Sequence, residues 1–164
     1  MRATIPEMAE FEIAQLNIGR TVAPIDDPRM ADFVARLDAV NALAERSPGF
    51  VWRLQGESGN ATELPVTDDP LVIANLTVWS SIEDLYAFTY QSEHKGVFAR
   101  RFEWFERWPG PSVVLWWQRA GTIPDMADAL GRLARLAELG PTREAFTFKQ
   151  RFDPPAPEPG QRGT

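Results

Sequence analysis

The sequence predicts an α+β domain in which an antiparallel sheet carries helices on one face. Three observations predict it. Segments rich in β-branched and aromatic residues recur at FEIAQLNIG (11–19), GFVWRLQ (49–55), LVIANLTVW (71–79) and SVVLWWQ (112–118). Stretches with the 3.6-residue period of a helix separate the first from the second and the third from the fourth. The resulting order is β-α-β-β-α-β, then a helix and a short strand, which is the order of a split βαβ or ferredoxin-like sheet.

In the first strand Ala14, Leu16 and Ile18 point one way, and Ile13, Gln15 and Asn17 the other. DDPRM opens the first helix, with Asp27 suited to the N-cap and Pro28 to the first helical position. Met30, Phe33, Val34, Leu37, Val40, Asn41 and Ala44 trace one face of it, and Ser47-Pro48-Gly49 stops it. The loop GESGNATELPVTDDP (56–70) exceeds a usual hairpin connection, as expected of a lid or a dimer arm.

A second helical region, from about Ser81 to Arg107, carries two stripes. Ile82, Leu85, Phe88 and Thr89 form a narrow one; Val97, Phe98, Phe102, Trp104, Phe105 and Trp108 form a broader one about half a turn away. One straight helix cannot bury both against the same sheet, so a break or kink is expected in SEHKG (92–96), with its Gly96. The third helix lies in IPDMADALGRLARLAELG, with Met126, Leu130, Leu133 and Ala137 as its stripe and Gly140-Pro141 at its end. AFTFK (145–149) reads as a short last strand.

The domain is expected over residues 10–151, with a flexible N-terminus (1–9) and a disordered Pro/Gly-rich tail (152–164). A single helical layer leaves the other sheet face uncovered. LVIANLTVW is apolar on both sides, so a homodimer packed sheet to sheet is expected.

Composition excludes several classes of function. The 164-residue chain has a net charge of −6, and its arginines are interrupted by carboxylates, which argues against nucleic acid. No apolar run is long enough to span a membrane, and the start lacks the apolar region of a secretory signal, so a cytoplasmic protein is expected. With no cysteine and one histidine there is no disulfide, thiolate nucleophile or conventional zinc site. No Gly-rich phosphate loop or nucleophile elbow occurs.

The one histidine, His94, shares a helical phase with Phe98, Arg101 and Phe105. It is the candidate catalytic group; the alternative is a local backbone cap. Arg101 on that face, if buried, needs a carboxylate or an anionic ligand, and otherwise extends its stem to water. Asn17, Asn41 and Asn75 interrupt apolar patterns, as a polar pocket wall or as ties between strands and loops. Arg53, with Trp79, Tyr90 and Trp104, has the chemistry to hold an anionic or aromatic ligand. Trp52, Trp116 and Trp117 read as core or interface.

AQLNIGR, DDPRMADFVARLDAVNALAERSPGFVWRLQ, NLTVWSSIEDLYAFTYQSEH, RRFEWF–GPSVVLWW and GPTREAFTF together resemble the family called domain of unknown function 3291, over about residues 13–150. That family is similar to the antibiotic-biosynthesis-monooxygenase-like superfamily of dimeric α/β barrels. The resemblance implies that fold and a dimer. Its members include cofactor-free monooxygenases, haem enzymes and polyketide cyclases. VWSSIEDLYAFTYQSEH resembles their strand–helix–histidine stretch, whose histidine acts on substrate or binds haem, a role that only His94 carries here.

Three functions follow as expectations. The first is a cofactor-free monooxygenase or cyclase acting on an aromatic or polyketide-like molecule between sheet and helices. His94 is then the general base, and Asn17, Asn75 or Arg101 stabilises an enolate or phenolate. The second is a haem enzyme with His94 as axial ligand and Arg53 or Arg101 on a propionate. The third is a non-catalytic ligand-binding dimer.

Overall fold

The computed structural model describes residues 9–92 and 94–156; the side chains of His94, Lys95 and Phe98 lie outside the described set. Strands β1 (Phe11–Arg20), β2 (Phe50–Arg53), β3 (Val72–Trp79) and β4 (Val113–Arg119) form one sheet in the order β2-β3-β1-β4. Every neighbouring pair is antiparallel. Helices α1 (Ala31–Glu45), α2 (Ile82–Tyr86), α3 (His94–Ala99) and α4 (Met126–Leu139) complete the α+β architecture. Among the described residues no helix is long and apolar enough to cross a membrane.

Strand alternation assigns the two faces. Ala14, Leu16 and Ile18 of β1 cluster with Ala74, Leu76 and Val78 of β3 and with Ala129, Leu133 and Leu136 of α4. Ile13 clusters instead with Ala44 of α1, Ile82 and Leu85 of α2, and Phe88. The helices therefore occupy both faces, where the sequence reading placed them on one. An amphipathic stripe shows that a helix must bury one side; it does not say against which face of the sheet. Here β3 is apolar on its second face, and α4, which follows the last strand, packs there. The face that raised the expectation of a partner chain thus carries a helix of the same chain.

Within α4 the buried residues are Ala129, Leu133 and Leu136, whereas Ala137 of the expected stripe is exposed. At its start Asp125 caps the backbone N–H of Asp128. The cap expected at α1 sits one turn earlier. Asp27 accepts from the backbone of Arg29 and opens a 3₁₀ turn at Pro28–Met30 that leads into α1.

The second helical region breaks within SEHKG, as its two stripes require. After α2 the backbone widens into a π-helical turn, Ala87–Gln91, and Ser92 is extended (φ −97°, ψ −179°). Gly96, expected at the break, lies inside α3. The stripes then reach different clusters: Ile82, Leu85 and Phe88 join Ile13, while Val97, Trp104 and Phe105 join Ala23, Met30 and Phe33. Phe102 stays exposed, and Trp108 packs into the cluster on the α4 side.

AFTFK contributes isolated bridges rather than a strand: Leu115 and Phe146 exchange backbone hydrogen bonds of 2.8 and 2.9 Å at the outer edge of β4, and Ala145 bridges back to Thr142. Phe152, which the sequence reading puts in the tail, packs with Phe146, and its carbonyl accepts from Trp117 Nε1 at 2.8 Å. Residues 1–8 and 157–164 of the expected termini lie outside the described residues.

Candidate functional site

The sheet face that carries α1 and α2 is built in cross-strand rows. The first row is Phe50–Trp79–Ile13–Trp117, the second Arg53–Thr77–Gln15–Leu115, the third Asn75–Asn17–Val113, and the fourth Ile73–Gly19. Helix α2 closes the first row, where Phe88 stacks on Trp79 with ring centroids 5.0 Å apart. Phe105 closes the fourth. Its ring lies so near Gly19 that a Cβ there would come within 2.8 Å of Phe105 Cδ1, so glycine is required for this approach.

Between these two apolar covers the third row is open. Asn75 is exposed although β3 is an inner strand, and Asn17, directly opposite on the other inner strand, is half-buried. Residues so paired have Cβ atoms about 5 Å apart. Among the described residues neither asparagine side chain has a hydrogen-bond partner. Two adjacent carboxamides thus lie in a gap between the aromatic clusters, with Asn75 exposed.

The second row forms the inner edge of this opening, and sequence reasoning missed its polar pair. Gln15 and Thr77 are buried, with 6% and 4% exposure. Trp79 Nε1 donates to Thr77 Oγ1 at 3.0 Å, and that hydroxyl donates to Gln15 Oε1 at 2.8 Å. Gln15 shares the strand face of Asn17, and that alternation was the signal available for it. Thr77 is unremarkable in a strand, where threonine is common, so only the register reveals its role.

The other expected residues are placed as follows. Asn41 donates to Asn60 Oδ1 at 2.7 Å, and Asn60 donates to Asp38 at 3.4 Å, so Asn41 ties the long loop to α1. Arg53 stands at the end of the second row; it pairs with Glu45 at 2.8 Å and donates to the Gly59 carbonyl at 2.6 Å. These bonds fasten residues 59 and 60 to the α1–β2 edge. Trp79 is fully buried, between Phe88 and the edge of Phe50, and serves the site through its N–H. Trp104 is buried against Phe33, with the Arg100 guanidinium 4.8 Å from its ring centre.

Tyr90 packs on Tyr86 and Phe148. Burial, then the neighbouring Tyr86, pushes its hydroxyl pKa above the ordinary tyrosine value, while Arg101 pulls it down. Tyr90 and Arg101 therefore lie within electrostatic reach of each other. Arg101 also stacks on Phe102 at 4.4 Å. His94 opens α3, two residues after the break, and its side chain lies outside the described residues.

Of the expected set, the structure thus joins Asn17 with Asn75, and Tyr90 with Arg101. Asn41, Arg53 and Trp104 are engaged elsewhere. Two clefts, of about 370 and 470 Å³, open beside α4 and share Arg132 and Glu144; none of the expected site residues lines either. Arg132 is already committed to Asp128 and to the Glu144 carbonyl. Among the described residues no cluster of histidine and carboxylate side chains has the makings of a metal site.

Comparison with known proteins adds little about chemistry. No curated protein matches the chain. PA3566 from Pseudomonas aeruginosa, a solved structure, is similar at 13% identity and a TM-score of 0.46, over 71% of this chain and 99% of that one. NE2512 from Nitrosomonas europaea, a protein of unknown function, is similar at 13% identity and a TM-score of 0.43, over 71% of this chain and 97% of that one. The sequence itself is more specific: a family profile covers residues 12–161, and the chain belongs to the family described as Domain of unknown function (DUF3291).

Proposed function

We propose that the opening over Asn17 and Asn75 receives a small, flat, oxygen-bearing organic molecule, and that the chain acts on it as a cofactor-free monooxygenase or cyclase. The observation that carries this reading is a pair of carboxamides without a hydrogen-bond partner among the described residues, one of them exposed, on the two inner strands between aromatic covers. Helix layers normally close over inner strands, and a gap lined by polar groups and bordered by rings is the usual form of a ligand site. The sheet order β2-β3-β1-β4 supports the ferredoxin-like reading and, through it, the kinship with dimeric α/β barrels. This proposal does not draw on the expected sheet-to-sheet partner, because the opening lies on the sheet face opposite α4.

In the proposed reaction His94 removes a proton from an acidic carbon of a phenolic or polyketide-like substrate. The Asn17 and Asn75 amides hold the resulting enolate or phenolate oxygen. In the monooxygenase form the carbanion of a CH₂ carbon bonds dioxygen, and His94 returns its proton to the peroxide. Loss of water with the carbon's remaining hydrogen then leaves C=O, so the substrate supplies all four electrons.

The test is oxygen uptake and absorbance change with a panel of anthrones, naphthols and linear polyketide mimics, with binding followed by tryptophan fluorescence. Turnover lost in His94→Ala with binding kept is the expected result. Unchanged turnover in that variant would remove His94 from the chemistry, and failure of the whole panel to bind would count against the site.

A further inference from the structure

We infer that Gln15 determines which ligand atom the opening accepts, and that it selects a hydrogen-bond acceptor oxygen such as a carbonyl, enolate or phenolate. This rests on the reading of the opening as a ligand site and adds a specificity that the reading does not contain. The argument is one of hydrogen-bond direction. An indole N–H can only donate, so Thr77 Oγ1 accepts from Trp79. The threonine hydroxyl has one hydrogen, and its acceptor is Gln15 Oε1 at 2.8 Å. The carbonyl of Gln15 is therefore occupied, and the group it has left to offer is its NH₂.

Among the described residues that NH₂ has no hydrogen-bond partner, although Gln15 as a whole is only 6% exposed. The Gln15 nitrogen is thus the unengaged donor of this row among the described residues, on the same strand face as Asn17 and about 7 Å along the strand from it. A free carboxamide can turn and present either end to a ligand. If Gln15 turned, the Thr77 oxygen could accept from its NH₂, but the Thr77 hydroxyl hydrogen would lose Gln15 Oε1 as its acceptor inside the protein. Trp79 and Thr77 are thus positioning residues that make Gln15 a fixed donor, beside two asparagines that either accept or donate.

The test uses a matched pair of probes, 2-acetylnaphthalene and 2-ethylnaphthalene, which share shape and differ in one acceptor oxygen. Binding to the full chain is measured by fluorescence titration. The wild type is expected to favour the ketone by about tenfold, the effect of a neutral hydrogen bond or two. Gln15→Met keeps the side-chain length and removes the donors; it is expected to bind both probes alike, with affinity for the hydrocarbon unchanged. Thr77→Val unlocks the amide and is expected to reduce the preference, giving a second route should Gln15→Met misfold by circular dichroism.

Equal binding of the two probes to the wild type, or a preference that persists in Gln15→Met, would overturn the inference while leaving the opening as a binding site. Failure of both probes to bind would overturn the underlying reading, and the inference with it.

Discussion

The two faces of the sheet share the same four strands and are built on opposite principles. On the α4 side Ala14, Leu16, Leu76, Val78 and Val114 are fully buried and wholly aliphatic, and α4 lays Leu133 and Leu136 across them. On the α1–α2 side the same strands present Gln15, Asn17, Asn75 and Thr77 between two apolar clusters. A sheet that needed only stability would repeat the first pattern on both sides, since burying polar groups has a cost unless they are bonded. The difference teaches that the α4 face holds the fold, while the other carries the polar rows on which the proposed site rests.

The largest effect should come from breaking the closed face. Leu16→Ala removes a fully buried side chain from the middle of that cluster and is expected to lower stability by about 2–5 kcal/mol, measured by urea unfolding. A loss below about 1 kcal/mol would mean that the face is not tightly packed.

The buried polar row should respond next. Thr77→Val keeps shape but leaves the fully buried Trp79 Nε1 without its acceptor, an expected loss of about 1–3 kcal/mol. Unfolding curves that superimpose on those of the wild type would show that the indole finds another partner.

Asn75→Ala sharpens the contrast from the other side. The residue is exposed and has no side-chain hydrogen bond among the described residues, so its removal should change stability by less than about 0.5 kcal/mol. Ligand affinity should nevertheless fall. A large stability loss would assign Asn75 to the fold rather than to the site.

The smallest effect is confined to acid and to the far end of β1, where Arg20 bonds Asp69 at 2.7 Å. That bond, then the N–H of Leu71, holds the Asp69 carboxyl below the ordinary aspartate value. A depressed carboxylate stabilises the fold fully above the unfolded value of about 3.9, and the contribution fades as pH falls through the lower folded value. Asp69→Asn should therefore narrow the gap to wild-type melting temperature as pH drops from 7 to 3. A gap that stays constant over that range would separate Asp69 from acid sensitivity.

Much of this plan was legible in the sequence, for reasons that particular residues make plain. The strands announced themselves by β-branched runs, and the Asp27-Pro28 turn that leads into α1 by its capping chemistry. The conflict between the Leu85 and Phe105 stripes forced a break, and the structure has one at Ser92. The side of the sheet taken by α4 was not legible, because an apolar stripe carries no address. The site was legible only in part. Asn17, Asn41 and Asn75 look alike as interruptions of apolar patterns, yet Asn41 finds Asn60 across the long loop while the other two find each other through the β1–β3 register. Gln15 and Thr77 acquire meaning only from that register and from Trp79 beside them.

The account stands most directly on the claim that Gln15, Asn17 and Asn75 face one opening while the structural carboxamides do not. Side-chain amide resonances in a ¹⁵N-labelled sample, followed through a titration with 2-acetylnaphthalene, report on each group separately. The account predicts that the amide pairs of Gln15, Asn17 and Asn75 shift together with one apparent affinity, while those of Asn41 and Asn60 stay fixed. Shifts confined to Asn41 and Asn60, or the absence of any shift at Gln15, Asn17 and Asn75, would contradict it.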